Sequence, residues 1–142
     1  MRSQSRVQLA GRVLTAVALA VMAGVHLRLY TTYDYRAIHT IGSLFLANGI
    51  AGLVLCPAIL AVPTRFLGPV ALASAGLLAG TFAGFVIALG HPLFGFQDSI
   101  SAPHAWTALV DEAAGTVIAF GTAAMSLRGG GARAVLGVWR RA

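Results

Sequence analysis

The residues able to ligate a metal, pass a proton or hold an ionic ligand are few in this chain: four histidines and four acidic side chains among 142 residues. They are also unevenly placed. His26, His39, His91 and His104, with Asp34 and Asp98, fall in two polar stretches, 26–40 and 90–104, and Asp111 and Glu112 lie in the apolar run that follows the second. The first stretch, His26 to Thr40, holds two of the histidines, Arg28, Arg36, Asp34 and all three tyrosines, between two apolar runs. Imidazoles carried on separate segments suit a transition metal if the fold brings them together. His26, His39, His91 and His104 with Glu112 are therefore a candidate metal set. None of the histidines has the close spacing of a local motif, so the fold alone would have to assemble the site. Haem fits less well, since axial histidines belong well inside a bundle and only His26 is so placed. The second chemistry is that of an ionisable group in apolar surroundings. Asp111 and Glu112 interrupt an otherwise apolar run, where an acid costs roughly 2.5–3.5 kcal/mol at the centre of a membrane span and less nearer the surface.

The elements that carry these groups are read from hydropathy. The chain is 58% apolar and 10% charged, with a mean hydropathy of +0.82, far from the roughly 25% charged residues of soluble domains. Four segments are long enough to cross a bilayer as helices of about 20 residues: about 9–29, 38–62, 66–89 and 105–127. The links are short, which predicts one all-α domain over 1–142, an up-down-up-down four-helix membrane bundle. A basic tail, 128–142, follows; a Gly129–Gly131 hinge sets off Val135, Leu136 and Trp139 to dip into the interface. A secretory signal peptide competes for the first span. The apolar stretch continues to Leu29, past the small-residue site around Val21–Ala23, and favours an uncleaved span.

Orientation follows from the arginines, since lysine is absent. Arg2, Arg6, Arg12, Arg65, Arg128, Arg133, Arg140 and Arg141 share one side and only Arg28 and Arg36 the other. The positive-inside rule then places both termini in the cytoplasm, facing anionic lipid. All four histidines and all four acids fall on the outer side. An aromatic belt accounts for Tyr30, Tyr33, Tyr35 and Trp106 there, but not for Glu112. With a span starting near Trp106, Glu112 lies about 9 Å inside, and His26 about 6 Å inside its own span, at 1.5 Å per residue. Glu112 is expected to turn inward, because Gly115 and Ala119 continue a small face at steps of three and four. Its expected partners are His26, Arg28 and Arg36, with His39 and Asp111 in the same polar network.

Close packing must supply much of the drive for helix association in lipid. Gly76, Gly80 and Gly84 form two overlapping GxxxG steps, expected to pack inside the bundle, with a homodimer face as the competing reading. Asn48, near the middle of its span, is expected to hydrogen-bond between helices. Cys56 alone can form no intramolecular disulfide and reads as a small buried hydrophobe.

Several functions are excluded or disfavoured. The net charge of +6 reflects arginines at span ends, not a nucleic-acid face. No Walker loop, HExxH or GxSxG is present, and the first helix lacks the deep acid of small multidrug carriers. The segment Tyr35–Gly52, preceded by His26–Tyr30, and Phe94-Gly-Phe-Gln97 followed by Trp106 and an acid in the last helix, resemble small four-helix membrane proteins of high-GC Gram-positive bacteria. That resemblance implies the architecture and a bacterial inner membrane, and leaves activity open. DoxX-type proteins share the layout without a shared motif. The sequence thus favours a non-enzymatic accessory or scaffold subunit of a larger membrane complex or homo-oligomer. The alternative is an outer-face binder of a metal, cofactor or small ligand centred on His26 and Glu112.

Overall fold

The computed structural model describes residues 2–139, with side chains over 5–128. It is all-helical: α1 Arg2–Thr32, a single 3-10 turn Tyr35–Ala37, α2 Ile41–Ala61, α3 Thr64–Gly90 and α4 Ala105–Trp139. Each helix is long and apolar enough to cross a membrane. The helix ends fall within a few residues of those read from hydropathy, except that α1 starts earlier and α4 runs on. The backbone stays helical through Gly129–Gly131, where the sequence suggested a hinge. Arg140 and Arg141 lie outside the described residues, as do the side chains of Arg2, Arg133, Val135, Leu136 and Trp139.

α2 ends where Val62, extended at φ −62°, ψ 137°, meets Pro63, because the residue before a proline is pushed out of the helical region. The last carbonyls of α2 would be orphans there. Arg12 of α1 supplies the donors: its Nη1 lies 3.1, 3.1 and 2.7 Å from the carbonyls of Ile59, Leu60 and Val62. A cation at a helix C-terminus is also favoured by the helix dipole. Arg12, read from the sequence as a topology signal, thus also fastens α1 to α2.

α1 packs broadly on α2 and α4, and α4 on α3, while α2 touches α3 only lightly. Small residues make the tight contacts, as expected in lipid. A Cβ added at Gly52 would lie 2.9 Å from the Ala23 Cβ, and one at Gly115 would lie 2.7 Å from the Ala18 Cβ. Leu19, Met22, Ile59, Leu67 and Leu78 fill the space between these close approaches, all essentially inaccessible. The Gly76–Gly84 face does not join them. A Cβ at Gly76 or Gly80 would meet nothing within 4 Å, and one at Gly84 only the Leu93 Cδ2 at 3.9 Å. The expected internal packing of this GxxxG face is therefore corrected: the glycines that allow close approach lie elsewhere, at Gly11, Gly42, Gly49, Gly52, Gly68 and Gly115. Gly76, Gly80 and Gly84 face open space because α2 and α3, tied at one end by Val62 and Pro63, are separated by a cavity nearer the other.

Candidate functional site

That cavity has a volume of about 330 Å³, within the roughly 300–1,000 Å³ typical of small-molecule sites. All four helices contribute to it. α1 brings Val25, His26 and Leu29; α2 brings Ile41, Leu44, Phe45 and Asn48. α3 gives the glycine face with Thr81 and Phe85, and α4 gives Ala105, Ala108 and Glu112. The connections before α2 and before α4 roof it with Tyr35, Leu93, Phe96, Asp98 and His104.

Helical spacing explains which side chains arrive. Ile41, Phe45 and Asn48 are steps of four and three along α2, and Ala105, Ala108 and Glu112 are steps of three and four along α4, so each set shares a face. Tyr35 is placed by the 3-10 turn. Phe96 is placed by a tight turn in which Leu93 and Phe96 exchange backbone hydrogen bonds of 2.7 and 2.9 Å. Phe94 and Gly95 at its centre have φ of 52° and 80°, the left-handed pair of a type I′ turn, and Gly95 meets that demand without a side-chain clash. Asp34, Thr40 and His104 also have positive φ. All such backbone positions lie in the two connections that frame the cavity, where strain tends to accumulate at functional sites.

His26 is 6% exposed, and its Nδ1 lies 2.9 Å from the Met22 carbonyl. A carbonyl only accepts, so Nδ1 carries the hydrogen and donates, leaving Nε2 of the neutral ring as an acceptor. The ring packs on Phe45 at 4.8 Å between centroids; Tyr35 packs on Phe45 at 4.9 Å and on Phe96 at 5.6 Å. A continuous aromatic wall therefore joins α1, α2 and the connection before α4. Glu112 is 1% exposed, and its Oε2 has no hydrogen-bond partner among the described residues. Thr81 lies beside the carboxyl, but its single hydroxyl proton is directed to the Leu77 and Leu78 carbonyls at 3.2 and 2.9 Å. At the roof, burial pushes the Asp98 carboxyl above its ordinary value, against the lowering effect of the Ser99 N–H that it accepts. Burial likewise raises the Tyr35 phenol, helped by the charge of Asp98. His104 packs edge-on to Tyr33, and its buried Nε2 is also without a partner among the described residues.

The structure thus brings His26, His104 and Glu112 to one cavity, with Glu112 turned inward and Gly115 and Ala119 buried on the same small face. Other expected members are elsewhere. Arg28 is exposed, and Arg36 is exposed and paired with Asp34 at 3.1 Å, so neither lines the cavity that Glu112 faces. His39 is exposed beside Thr40, and His91 is exposed at the end of α3. Asp111 is half-buried but does not line the cavity. Asn48 makes no hydrogen bond between helices among the described residues; its amide lines the cavity instead. Among the described residues no three His, Cys, Asp or Glu side chains gather as a metal site, so the set His26, His39, His91, His104 and Glu112 is not assembled. The sequence reading did not single out Tyr35 beyond the belt, nor Asp98, Phe45, Phe96 or Thr81 as site residues. The spacing of Ile41, Phe45 and Asn48 was the available signal for one of them.

With two carboxyls, two imidazoles and an aromatic wall, the cavity can hold a compact, largely apolar molecule and accept hydrogen bonds from it. No known protein family, curated protein or solved structure matches this chain.

Proposed function

We propose that this protein is a bacterial inner-membrane, multi-pass binder of a small, largely apolar molecule, held at the outer face of an up-down-up-down bundle whose termini are cytoplasmic. The observation that carries the reading is the cavity itself, lined by His26 and by Glu112, whose buried Oε2 has no partner among the described residues. A buried polar group with no partner costs on the order of 1–3 kcal/mol, and a bound molecule that donates to it recovers that cost. The scaffold role, first in rank from composition, moves to second: packing alone gives no reason to aim a carboxyl and an imidazole at open space. The arginines of the opposite end, Arg6, Arg12, Arg65 and Arg128 among them, suit anionic lipid at the cytoplasmic surface.

Native mass spectrometry of the protein, extracted from its own membrane in mild detergent, tests the binding reading. The expected spectrum shows an added organic mass that is missing from Gly80→Leu, whose side chain would fill the cavity. Spectra in which wild type and Gly80→Leu each show only the mass of their own bare chain refute it.

A further inference from the structure

The charge of the cavity differs from the charge of the chain. Ten arginines and four acidic residues make up its formal charges. Two of those four acids, Asp98 and Glu112, line the cavity, and no arginine among the described residues does. Arg28 and Arg36, the arginines nearest in sequence to His26, point away into exposed positions. An inward carboxyl with no cation beside it is an unusual arrangement, because buried charges are normally paired. The rings around it are those that favour a cation: Phe45, Tyr35, Phe96 and Phe85 all line the same space, and an ammonium over an aromatic face gains about 0.5–2 kcal/mol. The acceptors are likewise matched to a donor-rich head group. With its Nδ1 given to the Met22 carbonyl, the lining His26 keeps Nε2 as an acceptor, and Glu112 keeps Oε2; a primary ammonium has three hydrogens to give.

Resting on the binding reading above, we infer that the occupant is a lipophilic amine, with its ammonium between Glu112 and His26 and its apolar body along the glycine face of α3. The light contact between α2 and α3 and the empty space over Gly76 and Gly80 leave that body a lateral path from the lipid. A side chain on the glycine face would narrow this path, which gives the α3 glycines a role that packing does not.

The test uses the full-length protein in lipid nanodiscs and two probes that differ only in the head group, phenylbutylamine and phenylbutanol, with binding followed by calorimetry. The amine is expected to bind the wild type and to weaken by at least about thirtyfold in Glu112→Gln, the equivalent of about 2 kcal/mol for an unpaired buried charge. The alcohol is expected to bind more weakly and to be insensitive to that substitution. Both probes should be excluded by Gly80→Leu. Glu112→Gln keeps the shape of the side chain and removes only its charge, so its fold is expected to hold. Gly80→Leu, at a position with open space, serves as an independent check. Equal binding of amine and alcohol, unchanged in Glu112→Gln but lost in Gly80→Leu, overturns the amine inference and leaves the binding cavity standing. Binding of neither probe to the wild type overturns the amine inference too, and native mass spectrometry then decides the binding reading separately.

Discussion

Glycine-to-alanine substitutions at Gly80 and Gly115 should move stability in opposite directions, although both residues belong to small-residue steps on long apolar helices. At Gly115 the new methyl would sit 2.7 Å from the Ala18 Cβ and 3.1 Å from the Leu78 Cδ1. The Ala18 methyl is fixed to the α1 backbone, so α1 and α4 must separate by several tenths of an ångström. Overpacking of this kind costs about 1–3 kcal/mol, and the gain from replacing a helical glycine, about 0.5–1 kcal/mol, offsets only part of it. The expected net loss is about 1–2 kcal/mol. At Gly80 nothing lies within 4 Å, so only the helix gain is left and Gly80→Ala should be about 0.5–1 kcal/mol more stable. Equilibrium unfolding in mixed detergent micelles, with helicity as the signal, resolves a gap of this size. A loss of about 1 kcal/mol or more in Gly80→Ala would show that the α3 glycines pack against a partner and do not face a cavity.

Arg12→Met should destabilise the protein by about 2–3 kcal/mol: hydrogen bonds from a charged donor contribute about 1.5–3 kcal/mol each, and these are discounted because they are only part-buried or exposed. Nη1 has only two hydrogens to share among the carbonyls of Ile59, Leu60 and Val62. Arg6→Met, an exposed arginine at the same end, is the control, and an equal loss there in the same unfolding assay would refute the capping role. Asp98→Asn tests the roof. Burial raises the folded-state pKa of Asp98 above its ordinary 3.8, so the fold binds this proton more tightly than the unfolded chain does. Its contribution is fully present below pH 3.8 and is lost as pH rises through the raised value. The variant should therefore be more stable than wild type at neutral pH and equal to it in acid, as read by thermal melts across pH. For sidedness, with Cys56 replaced by serine, a cysteine at Ser101 should react with a membrane-impermeant maleimide on intact cells and one at Thr64 should not. The reverse pattern would invert the orientation and move the cavity to the cytoplasmic face.

Composition and hydropathy alone determined the four helices, because a span in lipid must satisfy its own backbone and so has to be a long apolar helix. They also made His26 and the pair Asp111 and Glu112 stand out, since polarity inside an apolar run is visible without a fold. The inward turn of Glu112 was legible from the small face continued by Gly115 and Ala119, a matter of helical period. Three things were decided only by the tertiary structure. Arg28 and Arg36 share a short stretch with His26, yet their long side chains lie in exposed positions, Arg36 with Asp34, and one-dimensional spacing cannot tell a paired arginine from an exposed one. The GxxxG steps of α3 and the glycines at 52 and 115 read alike, but which of them meets a neighbour depends on how two helices tied at one end diverge toward the other. Asp98, Phe96 and Tyr35 reach the cavity through tight turns with left-handed backbone, and such turns direct side chains in ways that helical period does not encode. Sequence set what each helix could tolerate, and the packing of helices, with its uneven contacts, decided which faces close and which enclose a site.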